Sequence, residues 1–209
     1  MRKTNRVIYF VEGECEAKLI NALKEIPAAI RPGKVKIINV IQNLISASQL
    51  VQIQAGTTVV LVFDTDVPKT DCLKENIIQL RKKCTRVEVV FLPQVRNFEE
   101  ELVRCTDVER VSELTHSRSS RDFKRDFCAA TNARNLLERH HLDMTRLWST
   151  HPPEGFSLLC LLLLQCQVGH VHLTLVVLID GQLDRQDRSV RPMPSACRLP
   201  QDAACRHRS

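Results

Sequence analysis

No C-x-x-C pair occurs among the nine cysteines of this chain, at positions 15, 72, 84, 105, 128, 160, 166, 197 and 205. That spacing and the odd count argue against a zinc ribbon and a disulfide framework. The thiols read instead as small apolar residues of a reducing compartment. A long apolar run is also missing near the start. The stretch VIYFV, residues 7 to 11, is only five residues long before Glu12, too short for a signal-peptide core, and this places the expectation in the cytoplasm.

Lysine is absent after Lys124 and asparagine after Asn135, and no charge stands in the 25 residues between Glu154 and Asp180. Such a gap has the length of a membrane span. Gln165, Gln167, Gly169, His170 and His172 interrupt it, however, and its second half, VGHVHLTLVVLI, reads as β. A membrane partner is therefore not expected. The change of composition past about residue 156 reads as a segment foreign to the domain, out of frame or fused, with a buried strand pair or helix as the alternative. The organisation expected is a core over 1–105, a helical extension over 106–150 and a compositionally distinct tail over 151–209.

What is present is an ordinary globular composition, 44% hydrophobic and 26% charged, in 209 residues, enough for one domain and an appendage. The net charge of +6 suits a polyanionic partner without requiring one. Through residue 105 strand-like and helix-like segments alternate. Strands are expected at 7–11, 34–41, 59–63 and 86–92, the last stopped by Pro93. Helices are expected at 14–25, at SASQLVQI with Ser46 or Ser48 as cap, and at 70–84 with Thr70 or Asp71 as cap. This pattern specifies an α/β fold: a Rossmann-like, mostly parallel sheet of about four strands flanked by helices. Ligands of such sheets gather at the carboxyl ends of the strands, where Glu12 and the pair Asp64 and Asp66 fall.

The pair poses an electrostatic problem. Two charges about 4 Å apart repel by roughly 4 kcal/mol at an effective dielectric of about 20. Strand alternation points residues 64 and 66 to one side, so solvent, a proton or a cation must offset the repulsion. A divalent metal such as Mg²⁺ suits a few carboxylates and leaves room for substrate phosphates; an acidic turn before Pro68 and Thr70 is the plainer reading. Upstream, VEGECE sets Glu12 and Gly13 between strand and helix, the glycine permitting a tight turn. Glu14 and Glu16 lie in the first helical turn, where acids complement the helix dipole.

VEGECE after a first strand and VFDTD at the end of the third resemble the Toprim domain over about residues 5 to 105. That family includes topoisomerase and primase catalytic domains, ribosomal-RNA maturation nucleases and OLD-group nucleases. The resemblance implies that Glu12, Asp64 and Asp66 hold Mg²⁺ or Mn²⁺ for phosphodiester chemistry, with Glu12 as general acid/base and, as in the OLD-like branch, Glu16 as a further ligand. LPQVRNFEEELVRC is similar to the asparagine-aromatic-glutamate segment of OLD-like and anticodon-nuclease-accessory-like members. It offers Glu99 as another ligand, or simply an acidic helical turn capped by Asn97. Lys69 and Arg96 would neutralise phosphate.

D-x-D-x-x-G lacks its glycine here, which fits OLD-like members better than topoisomerases or primases. The one tyrosine, Tyr9, lies in an apolar strand, and no primase-type zinc module exists. The partners implied are nucleic acid, DNA or RNA, and an ATPase or nuclease subunit. Arg118, Arg121, Lys124 and Arg125 would form a phosphate-contacting helix, or belong to an amphipathic helix burying Phe123 and Phe127. Two other classes stay open. One is a non-catalytic metal- or nucleic-acid-binding module. The other is a haloacid-dehalogenase-like phosphatase with Asp64 as nucleophile, although no distal Asp-Asp pair follows. His140 and His141, adjacent on an expected helix, are poor joint ligands, and Trp148 is expected to seal the last helix.

Overall fold

The computed structural model describes residues 6–84 and 86–156. Four parallel strands, β1 (Val7–Val11), β2 (Lys34–Ile37), β3 (Thr58–Asp64) and β4 (Glu88–Gln94), are ordered β2-β1-β3-β4. The helices are α1 (Glu14–Glu25), α2 (Ala47–Val51), α3 (Asp71–Lys83), α4 (Phe98–Cys105), α5 (Val111–Leu114), α6 (Ser120–Ala129) and α7 (Ala133–Arg139). This is the α/β architecture that the alternation predicts. Among the described residues no helix is long and apolar enough to cross a membrane. The readings of the tail from residue 157 onward lie outside the described residues.

β1 and β3 are central, and each is buried along its whole length. This explains why both read as unbroken apolar runs instead of alternating ones. Their alternate residues feed two cores. Tyr9, Val11, Val60 and Val62 pack with α1 and α4 to α7, while Ile8, Phe10, Leu61 and Phe63 pack with α2 and α3. α6 is the amphipathic helix that buries Phe123 and Phe127, which meet Phe98 of α4 at ring-centroid distances of 6.2 and 5.6 Å. At the far end of the described chain, Phe156 stacks on Phe63 at 5.9 Å.

Two local expectations are corrected. The second strand stops at Ile37 rather than 41, because the Asn39 side chain accepts from the amides of Ile41 and Gln42 and turns the chain. The fourth strand runs through Pro93 to Gln94, because β4 is an edge strand, where a missing N–H is tolerated. The caps fall where expected: Thr70 stands at the N-cap of α3, without a side-chain cap bond, and Ser46 caps α2 by accepting from Gln49 N. Trp148 follows α7 in a turn with φ of +56° and is buried in the same cluster as Leu136 and Leu137 of that helix.

Candidate functional site

In the order β2-β1-β3-β4 the chain reverses direction across the sheet between β1 and β3. That topological switch opens a crevice at the strands' carboxyl ends. Glu12 follows β1 and Asp64 ends β3, so the two acids stand on either side of it. A pocket of about 340 Å³ lies there, lined by Glu12, Glu16, Asp64, Lys124, Arg125 and Cys128 among others.

Asp64 is 9% exposed, and its Oδ1 is buried without a hydrogen-bond partner. Burial first, then the charges of Glu12, Glu16, Asp66 and Glu99, push its carboxyl up to about 8. Four other carboxylates therefore converge on it electrostatically. Glu12 is also raised, chiefly by burial, with Glu16 and Asp66 adding to the effect and the Asp64 backbone amide opposing it. β3 ends at Asp64, so strand alternation does not extend to Asp66. That residue is exposed in the bend beyond, yet its charge raises both Glu12 and Asp64.

The threonine between the two aspartates has a structural task. Thr65 N donates to the carbonyls of Gln94 (3.1 Å) and Arg96 (3.0 Å), and its hydroxyl accepts from Arg96 N at 3.0 Å. This staples the loop after β4 to the end of β3, with Arg96 held at φ of +67°. It also sets the start of α4, where Asn97 Oδ1 accepts from Glu100 N at 3.0 Å.

The three consecutive glutamates of α4 then meet different fates. Glu99 pairs at 3.0 Å with Nζ of Lys124, which itself lines the pocket. Glu100 is exposed. Glu101 is wholly buried, accepting from Arg104 Nη2 and, at 2.6 Å, from the Trp148 backbone N–H, so it is structural.

Glu16 is 5% exposed, and its Oε2 accepts from Gly13 N at 2.9 Å, which caps α1 from within. Burial raises its pKa, while the α1 amides and Lys124 oppose the rise. Gly13 adopts extended backbone, φ −148°, so the glycine is not there for a left-handed turn. A Cβ at this position would stand 3.2 Å from Glu16 Oε2, and its absence leaves room for that carboxylate.

The sequence offers Lys124 as part of a phosphate-contacting or an amphipathic helix; the fold brings it to the wall of the acidic pocket. Burial alone would lower its pKa, but the Glu99 hydrogen bond and the charges of Glu99, Glu16 and Asp64 outweigh this and raise it. Arg125 also lines the pocket while pairing with Asp122 and Asp126. Lys69 and Arg96 are exposed on loops and, like Arg118 and Arg121, do not line it.

Two further features were missed in sequence. Gln94, the register partner of Asp64, is fully buried with both side-chain polar atoms unpartnered. The only signal for it was a polar residue at a strand's carboxyl end. Cys15 Sγ and Cys128 Sγ lie 3.1 Å apart, which no sequence spacing indicates.

Among the described residues no group of three or more His, Cys, Asp or Glu side chains is arranged to hold a metal ion as it stands. This includes the histidine pair. α7 ends at Arg139, so the helical angle between neighbours does not apply, and His140 and His141 both face Asp107, at 3.1 and 3.7 Å. Tyr9 is buried, its hydroxyl donating to Arg31 O at 2.7 Å, and burial pushes it up to about 12 despite the Arg31 charge. It is not placed as a nucleophile. In comparisons with models of protein families, with curated proteins and with solved structures, the chain matches none.

Proposed function

We propose that the pocket at the β1/β3 switch binds a divalent cation, Mg²⁺ or Mn²⁺, and that the protein is a Toprim-like nuclease or nuclease component acting on DNA or RNA phosphodiesters. The observation that carries this reading is the buried, unpartnered Asp64 Oδ1 with four carboxylates around it. A buried polar atom without a partner costs about 1–3 kcal/mol, and clustered hard oxygen donors are the set that Mg²⁺ prefers. Asp64 and Glu12 would hold the ion, with Asp66, Glu99 and Glu16 contributing as they are drawn in. When bound, such a cation stabilises charge on phosphoryl oxygens and activates water.

The chain's own groups have distinct parts in this scheme. Glu12, half-buried with its pKa raised, is the general acid/base. Lys124 and Arg125 face incoming phosphate from the pocket wall. Glu16, already holding Gly13 N, keeps the first turn of α1 in place.

The experiment is titration calorimetry with Mg²⁺ and Mn²⁺ on wild type and Asp64→Asn, followed by cleavage assays on DNA, RNA and tRNA. Binding that Asp64→Asn abolishes, together with cleavage that Glu12→Gln abolishes, is the expected result. Unchanged cleavage by Glu12→Gln would remove the catalytic assignment. The Lys124–Glu99 pair, which already places a cation over the acids, favours a second reading: a non-catalytic binding module. Metal binding without cleavage of any of the three substrates would select it.

A further inference from the structure

The wall of the acidic pocket contains two thiols that the cation reading does not use. Cys15 sits in the first turn of α1, buried, and Cys128 in the last turn of α6, half-buried and lining the pocket. They are 113 residues apart in sequence, with sulfurs 3.1 Å apart. Cys15 Sγ also donates to the Lys124 carbonyl at 3.5 Å, and Lys18 Nζ donates to the Cys128 carbonyl at 3.3 Å. The two helix ends are thus already held against each other by groups on both sides of the sulfur pair. A disulfide requires a sulfur separation of about 2.05 Å, so about 1 Å of approach remains. Cys84 and Cys105 are buried and donate to the carbonyls of Leu50 and Leu102, while Cys72 donates to Gln42 O. None of these three has a sulfur partner among the described residues.

We propose that Cys15 and Cys128 form a reversible oxidative modification site, closing under peroxide into a disulfide that joins α1 to α6. The pocket gives peroxide access to Cys128, whose sulfur takes one oxygen to become a sulfenic acid while water leaves. The Cys15 sulfur then displaces the hydroxyl from Cys128, forming the S–S bond, and the Cys15 proton departs with that hydroxyl as a second water. Two thiols are oxidised by two electrons, and one hydrogen peroxide is reduced to two waters. A cellular dithiol reverses the step. The linkage does not depend on the cation reading. What it changes is the pocket's wall: the helix carrying Glu16 becomes fixed to the helix carrying Lys124 and Arg125, and the Cys15 hydrogen bond to the Lys124 carbonyl is lost.

The test uses the full chain, reduced, treated with hydrogen peroxide, alkylated and digested with trypsin without reductant. Cleavage after Arg6 and Lys18, and after Arg125 and Arg134, gives the peptides VIYFVEGECEAK and DFCAATNAR, each with one cysteine. The expected product is these two peptides joined, released by dithiothreitol and absent from Cys128→Ser, together with a higher urea midpoint for the oxidised wild type, because the bond closes a long loop. Cys128→Ala is the companion variant, at a half-buried position, and its circular dichroism reports whether the fold is kept. Recovery of both peptides separately alkylated after peroxide, or of Cys128 joined to another cysteine, would overturn the proposal.

Discussion

Asp64→Asn is the substitution with the most direct physical readout. It keeps the side chain's shape and removes its titration. In the native chain burial and neighbouring carboxylates raise Asp64 from 3.8 to about 8. The unfolded chain releases this proton near the ordinary value, so between the two pH values the native state holds more protons than the unfolded one. Stability then falls as pH rises. The contribution is complete below the unfolded pKa and gone above the folded one. At about 1.4 kcal/mol for each pH unit, the full span is at most about 6 kcal/mol.

Glu12 and Glu16 are raised as well and add slope of the same sign. The difference between the two proteins isolates Asp64 together with its influence on those neighbours. The assay is urea denaturation in EDTA from about pH 4.5 to about pH 8.5. Wild type should lose several kcal/mol across that range. The Asn variant should follow a flatter curve, meeting wild type at the acid end and exceeding it at the alkaline end. Mg²⁺ at about 100 times its dissociation constant should return about 2.7 kcal/mol to wild type at the alkaline end and none to the variant. A flat wild-type curve, or equal slopes in the two proteins, would refute the reasoning.

Two other substitutions examine the same pocket. Lys124→Met removes the ammonium that neutralises the acids. Because the Lys124 side chain is 55% exposed, its loss should cost less than about 1 kcal/mol in stability, while Mg²⁺ binding by calorimetry tightens several-fold. Weaker binding would show that Lys124 assists the ion instead of competing with it. Gln94→Met replaces two buried, unpartnered polar atoms by an apolar chain of similar length and should raise cation-free stability by about 1–2 kcal/mol in urea. No gain would mean that the amide has an internal water partner.

The periodic parts of the fold were legible in the chain. VIYFV and VVLVF are apolar without alternation because both faces of β1 and β3 are covered, and α1 occupies the expected span from Glu14 to Glu25. Local pattern misleads where a side chain or a sheet position overrides it. Asn39 ends β2 through its own hydrogen bonds, and the edge location of β4 lets Pro93 remain in the strand. Of the site, the sequence indicated which acids end strands; it did not indicate their environments. Asp64 and Asp66 are two residues apart and chemically identical, yet one is buried and raised to about 8 while the other is exposed, because the strand ends between them.

What the sequence determined alone is therefore the class of sheet and the placement of Glu12 and Asp64 at the carboxyl ends of its strands, since both follow from local periodicity and chain order. The tertiary structure decided the rest. It set strand order, which puts β1 beside β3, and the separate fates of Glu99, Glu100 and Glu101. It also brought Lys124 and Cys128 from α6 against α1. Those meetings depend on how a helix more than one hundred residues downstream packs its two phenylalanines under the sheet, and no local pattern encodes the position at which that packing places a neighbouring polar side chain.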